Sequence, residues 1–516
     1  MHQKCRTLAA LGAALLLAGC QTPSKQPQPA VALPGHVQSE VTVPRLFSDN
    51  MVLQQGPTTP IWGWGQDGTV VTVTFRNQTN TAVVQDGKWT VLLHNLTAGG
   101  PDTLTISAAN TLVIKNVLVG DVWLAGGQSN MEFPLRASFD AAGDIASAAN
   151  PMIRLMKVPH VRLDAPTNDI NASWKECTPE TAANMSAVAY YFARTLQTNR
   201  NVPIGIIESD WGGTPAEAWM QYEFLRSRPL YQLEIFKEWA LQQDRYVHSA
   251  EAYESEKRQA QQNNTEFNKQ PPFRPWKPAE LYNGMIAPLA GYAIKGAIWY
   301  QGESNADSLE RAEQYHKLFP DLIRNWRGVW GEGDFPFLLV QLAPFMGIQP
   351  QPGQSAWASL REAQLESTEL LPNVGMAVIT DVGDQKNIHP TKKKPVGERL
   401  ALAARAIAYH EPIEYSGPVC KSMKIEQSHI ILTFDHAAGG LEARGGKLTD
   451  FAIAGPDGKF VWALAQIQGP DKVLVYSPEV LDPVAVRFGW ADYPVVNLWN
   501  KAGLPASPFR TDDLAK

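Results

Sequence analysis

Four short polar blocks in this chain of 516 residues combine into a set of groups able to attack an acyl carbon with a hydroxyl. They are Gly126-Gly127-Gln128-Ser129-Asn130-Met131, Ser209-Asp210-Trp211-Gly212-Gly213-Thr214, Gln301-Gly302-Glu303-Ser304-Asn305 and the stretch from Asp381 to Pro390. Each follows a continuous apolar run of strand type, and in open α/β sheets the ligand crevice lies outside the carboxyl ends of the strands. Ser129, at a strand-to-helix junction, has an exposed hydroxyl beside the free N–H groups of a helix start, which suits a nucleophile. Taken alone it reads first as an N-cap; the other blocks reverse that reading. His389 supplies a base of near-neutral pKa. An acid must orient its imidazole, and the candidates are Asp384, which is preferred, and Asp381. The donors for an oxyanion hole are Ser129 N–H, Gly213 N–H and the Asn305 side-chain amide. Gln128, Gln301 and Glu303 lie in the same blocks, as substrate contacts or as loop supports, and Trp211 is the first candidate to stack on a sugar ring.

The elements that must hold these blocks follow from the period of the apolar residues. From Val41 to Val119 the period is two, broken by turns such as Gln66-Asp67-Gly68, which predicts a small β-sandwich over 41–118. From Gly120 onward short apolar runs alternate with helical spacing. The runs are Val122 to Ala125, Pro203 to Ile207, Ile294 to Tyr300, Phe337 to Leu342 and Val374 to Thr380, and helical spacing is seen in Ala312, Tyr315, Leu318, Leu322 and Trp326. Five buried strands alternating with helices predict an α/β domain over 119–412, a parallel sheet wrapped by helices on both faces. A polar, helix-biased insertion occupies about 221–280, and strand-like runs return in a C-terminal β-rich domain over 413–516. The run Lys392-Lys393-Lys394 reads as a solvated helix start.

The four blocks resemble those of the SGNH or GDSL-like hydrolase superfamily, and specifically the sialate O-acetylesterase family of carbohydrate acetylesterases. Gly127-Gln128-Ser129-Asn130 with Met131-Glu132 matches the nucleophile block, Trp211-Gly212-Gly213-Thr214 the glycine block, Trp299 to Asn305 the asparagine block and Ile388-His389-Pro390 the histidine block. The likeness extends from near Val41, through Leu281-Tyr282-Asn283-Gly284-Met285, to Gly503 to Arg510. It implies a flavodoxin-like three-layer α/β/α core with a five-stranded parallel sheet, flanked by sandwich or jelly-roll-like units. It also implies acetyl-ester hydrolysis through an acetyl-Ser129 intermediate, with an O-acetylated carbohydrate as substrate and with neither metal nor organic cofactor. The pattern departs in one place. Many SGNH enzymes carry the triad aspartate three positions before the histidine, where this chain has Lys386, so a Ser129–His389 dyad stays open beside Asp384. Sialic acid and plant polysaccharides such as xyloglucan or xylan both stay open as sugars. Competing readings are a carbohydrate-binding lipoprotein without activity and an SGNH lipase, thioesterase or arylesterase.

Composition narrows the setting. The net charge of −6 provides no field for nucleic acid. At the amino terminus Lys4 and Arg6 precede an apolar run from Leu8 to Ala18 that ends in Leu17-Ala18-Gly19-Cys20, too short for a membrane span. It resembles a bacterial lipoprotein signal over 1–19, with Cys20 lipidated and residues 20–40 as a flexible tether; an ordinary signal peptide is the alternative. The expectation is therefore a cell-envelope lipoprotein, periplasmic or outer-membrane anchored, touching the membrane through its lipid alone. Cys177 and Cys420 lie far apart, without metal-ligand spacing.

Overall fold

Uninterrupted apolar runs make the central sheet, because a strand covered on both faces has no polar side to present. In the computed structural model, which describes residues 39–512, its strands are β1 (Thr111–Gly127), β2 (Asn150–Lys157), β3 (Ile204–Asp210), β4 (Gly296–Tyr300), β5 (Phe337–Val340) and β6 (Val374–Ala377). They lie in the order β6-β5-β4-β1-β3-β2, each neighbouring pair parallel. Five are the expected runs. The sixth, β2, escaped because its first residues are polar and include Pro151, features tolerated near a sheet edge; beyond it the short strand Lys175–Cys177 pairs, antiparallel. The sheet as a whole is mixed, since β1 also pairs antiparallel with Gly99–Ser107 and parallel with Val52–Gln54.

The helices bear on this sheet through two separate apolar clusters. Successive residues of a strand point to opposite faces, and β4 follows that rule. Ala297 and Trp299 join a cluster with α4 (Leu309–Trp330) and α5 (Ala356–Leu370). Ile298 and Tyr300 join another with α2 (Ala187–Arg200) and α6 (Lys394–Ile407). The indoles of Trp299 and Trp326 meet edge to face at 5.4 Å and are fully buried, which stabilises by at most about 4–6 kcal/mol each. The insertion contains α3 (Lys237–Gln262), a helix of 26 residues with none buried.

In the N-terminal part, Gly56–Trp64 pairs antiparallel with Lys88–Leu96. The boundary expected at 118 falls inside β1, which bulges at Asn116 and then continues into the central sheet. The C-terminal part holds two four-stranded sheets around a third apolar cluster. Buried Arg361 of α5 ties it down by donating to the carbonyls of Leu342, Ala343, Ala491 and Asp492. The expected signal segment, Cys20 and nearly all of the tether lie outside the described residues. Among the described residues no helix is long and apolar enough to cross a membrane.

Candidate active site

The site begins where β1 ends. Gly127 has φ +140°, and a Cβ there would lie 2.2 Å from the Tyr300 carbonyl oxygen of β4, so only glycine lets the two strands finish side by side. The next residue's amide, Gln128 N–H, donates to that carbonyl at 3.0 Å, and Ser129 opens the four-residue helix α1 (Ser129–Glu132). His389, from the loop before α6, brings its Nε2 to 2.8 Å from Ser129 Oγ. With Nε2 as acceptor the hydroxyl donates, which is the arrangement a general base requires. Burial, and after it the charge of Lys393, holds the His389 pKa below its usual value.

The loop after β3 packs directly on the serine. Trp211 N–H donates to Gly127 O at 3.1 Å and Gly212 N–H to Glu132 Oε2 at 2.8 Å. A Cβ on Gly212 would meet Ser129 Cβ at 3.1 Å. Gly213 follows in the left-handed region, φ +72°. Among the described residues neither Gly213 N–H nor Ser129 N–H donates to the protein, so both are open to a developing oxyanion. Asn305 is more committed than expected. It is fully buried; its Oδ1 accepts from Ala216 N–H at 3.0 Å and Gln301 Nε2 at 2.7 Å, and its Nδ2 donates to Glu217 Oε2 at 3.0 Å. One amide hydrogen is left over.

The orienting acid is where expectation and geometry part. Asp384 Oδ1 accepts the main-chain amides of Lys386 at 2.8 Å and Asn387 at 3.1 Å, and Asn387 Oδ1 accepts His389 N–H at 2.9 Å. Asp381 forms a two-pronged pair with Arg399 at 2.6 and 2.8 Å. Among the described residues no carboxylate is hydrogen-bonded to the His389 ring. An aspartate just ahead of free amides closes its own turn, and that local bond wins over a distant imidazole.

The remaining candidates divide by what they touch. Gln128 Oε1 accepts from Gly302 N–H and Ser304 N–H, each at 3.3 Å. Gln301 donates to Thr214 O at 3.2 Å and accepts from the Tyr315 hydroxyl at 2.8 Å. Both are buried loop supports. Glu303 Oε1 accepts from Asn130 Nδ2 at 2.5 Å, while its Oε2 is buried without a partner. Trp211 stacks on His160 at 4.2 Å and meets Trp276 edge-on at 5.1 Å. Sequence reading missed Asn130 and Lys393. Lys393 is buried rather than solvated and donates to Asn130 Oδ1. Its position carried a signal, because 393 stands just before α6 in helical step with buried Val396, Gly397, Leu400 and Ala404, and a charge in line with an apolar stripe is paired or functional.

A cleft of about 1410 Å³ is lined by Gly213 and Ser304 from the site and by Trp239, Tyr246, Phe273 and Trp276 from the insertion. Two groups of ligand-type side chains, Glu132–His160–Asp210 and His316–Glu362–Glu366, each bring their donor atoms within 4.8 Å of one another. In both the imidazole is already bonded, His160 Nε2 with Asp210 O at 2.9 Å and His316 Nδ1 with Glu366 at 2.6 Å.

Known proteins resemble this chain over almost its whole length. The sialate O-acetylesterase of Mus musculus is 30% identical over 521 residues, spanning 90% of this chain and 93% of that protein. The chain belongs to the sialate O-acetylesterase family. The Homo sapiens sialate O-acetylesterase is 29% identical over 509 residues, with 90% and 91% covered. A family model described as a carbohydrate esterase, sialic acid-specific acetylesterase, matches residues 266–406, a stretch of the sialate O-acetylesterase fold that contains Asn305 and His389. The crystal structure of a carbohydrate acetylesterase from Xanthomonas citri superposes with a TM-score of 0.79 at 39% identity, covering 92% of this chain and all of that one. Carboxylic ester hydrolysis, the chemistry of the sialate O-acetylesterase family, is within reach of a serine and histidine in hydrogen-bond contact.

Proposed function

We propose that this protein is a carbohydrate O-acetylesterase of serine-nucleophile type. The observation that carries the reading is the 2.8 Å contact between His389 Nε2 and Ser129 Oγ, beside two unused main-chain donors. Ser129 Oγ bonds to the acetyl carbonyl carbon as its proton passes to His389 Nε2. The carbonyl oxygen becomes an oxyanion facing Ser129 N–H and Gly213 N–H, with the spare Asn305 hydrogen as a third donor; losing one such donor typically costs about 2.7–4 kcal/mol of barrier. The C–O bond to the sugar then breaks, and the alkoxide takes the proton from His389. Water repeats the cycle on the acetyl-enzyme: it gives a proton to Nε2, its oxygen joins the carbonyl carbon, and acetate leaves as Ser129 recovers the proton.

In this reading the pair works as a dyad, and Asp384 shapes the loop that carries His389. The strand order and the two apolar clusters agree with an SGNH-type core between β-rich units. The lipobox-like segment ending in Cys20 supports an envelope lipoprotein, tethered by lipid alone. Acetate release from O-acetylated sialic acid, and from acetylated xyloglucan and xylan oligosaccharides, tests the function, with Ser129→Ala alongside. Release from at least one glycan, lost in the variant, is the expected result. Equal and negligible release by both proteins overturns it.

A further inference from the structure

With no carboxylate among the described residues bonded to the His389 ring, another device must fix its distance to Ser129, and the residue beside the serine is built for that task. Asn130 is 1% exposed. Its Nδ2 donates to the carbonyl of Ile388 at 3.0 Å and to Glu303 Oε1 at 2.5 Å, and its Oδ1 accepts from Lys393 Nζ. One carboxamide therefore joins the residue after the serine to the residue before the histidine. A side-chain amide is nearly symmetric in shape, and its orientation is set by the hydrogen-bond partners around it. Here a flip sets its N–H groups against an ammonium and its oxygen against a carboxylate and a carbonyl, so the two charges lock one orientation.

The grip is costly to build, which sets it apart from ordinary packing. Lys393 is enclosed by the rings of Phe133 at 5.0 Å and Tyr300 at 5.2 Å. Burial pushes its amine down to about 7, opposed by Glu303; burial likewise raises Glu303, opposed by Asn130 and Lys393. Replacing a buried charged pair with apolar residues is often neutral or stabilising, so this arrangement gains little in stability. Its members come from three of the four site loops, and all converge on one amide.

We propose that Asn130, locked by Glu303 and Lys393, is the positioning residue that sets the Ser129–His389 hydrogen bond in place of an orienting aspartate. The inference rests on that pair being the reacting pair, though not on the identity of the ester. Asn130, buried from solvent, acts through the backbone of Ile388, and Glu303 and Lys393 act through Asn130.

A p-nitrophenyl phosphonate ester separates this from the choice of substrate. Ser129 Oγ bonds to phosphorus, its proton passes to His389 and p-nitrophenolate leaves, so released colour reports the pair without any sugar or acetyl group. The full chain is compared with Asn130→Ala, Glu303→Ala, Glu303→Gln and the double variant Asn130→Ala/Glu303→Ala, with Ser129→Ala as blank and thermal unfolding recorded for each. Asn130→Ala is expected to slow phosphonylation by about 10²-fold, the scale of a misplacement near 1 Å. In parallel, kcat for a simple acetyl ester falls by a like factor while KM holds. Glu303→Ala follows in the same direction, and Glu303→Gln recovers most of the loss, because its Oε1 still accepts from Nδ2. The double variant is no slower than Asn130→Ala alone, the non-additivity of groups acting through one another. Undiminished labelling by Asn130→Ala, losses that multiply in the double variant, or an effect confined to KM overturns the proposal. If Asn130→Ala does not fold, the comparison of Glu303→Ala with Glu303→Gln decides: equal rates overturn it. Normal phosphonylation of the parent without acetate release from any glycan defeats the substrate reading and leaves the positioning role to stand on the variants.

Discussion

Asp384 Oδ1 receives the Lys386 amide at 2.8 Å, which closes its own loop. Asparagine keeps that acceptor and removes the charge. Asp384→Asn is therefore expected to hold kcat within about tenfold of the parent, whereas loss of a working triad acid costs about 10⁴. Steady-state rates on a simple acetyl ester distinguish the two, and a fall near the larger figure returns Asp384 to the His389 ring.

The acid limb of kcat/KM against pH should lie below 6.5, the unperturbed histidine value. The neutral imidazole is the working form, and a lowered pKa keeps it neutral into more acidic solution. Lys393→Met removes the repelling charge but leaves the burial, so its limb moves to higher pH than the parent's. A parent limb above the unperturbed value, or one unmoved by the substitution, contradicts this account.

Much of this site was legible because strand ends are readable. Uninterrupted apolar runs marked β1, β3, β4, β5 and β6, and the polar residues just beyond them included Ser129, Gly213, Asn305 and His389. What stayed hidden was the competition for each polar atom. Asp384 is drawn to amides two and three residues away, Gln128 and Gln301 to loop backbones, and Asn305 to Glu217; none of these rivalries has a sequence period. Lys393 is the instructive miss. Its neighbours Lys392 and Lys394 are exposed, so a run of three like charges concealed one that points inward.

Trp276 lines the cleft and stands edge-on to Trp211. Trp276→Ala is expected to raise KM for an acetylated oligosaccharide about 2- to 10-fold, the equivalent of an aromatic contact of roughly 0.5–1.5 kcal/mol. KM for p-nitrophenyl acetate, which has no sugar ring to stack, should hold. Equal shifts for both esters would show that the indole supports the loop rather than a sugar.

Asp210 is buried with neither carboxylate oxygen hydrogen-bonded and Lys157 Nζ 4.0 Å from its Oδ1, and burial together with neighbouring Glu208 raises its pKa well above the usual carboxylate value. A raised acid favours folding at low pH, and that contribution is lost as pH climbs through the folded-state pKa. The Tm of Asp210→Asn minus that of the parent should therefore grow as pH rises above 3.8, the ordinary aspartate value. Differential scanning calorimetry across that range checks the sign, and a flat or falling difference refutes it.

β1 belongs at once to the N-terminal strands and to the sheet that presents Ser129, one strand of 17 residues with a bulge at Asn116, whose φ is +56°. The two parts of the molecule are therefore joined through a shared strand rather than through a loop. A push on the N-terminal strands is transmitted along hydrogen-bonded backbone to the nucleophile itself, and a fragment begun at the apparent change of sequence period would tear the middle strand of its own sheet in two. Whatever the N-terminal face comes to rest on, the serine is held at a fixed height above it.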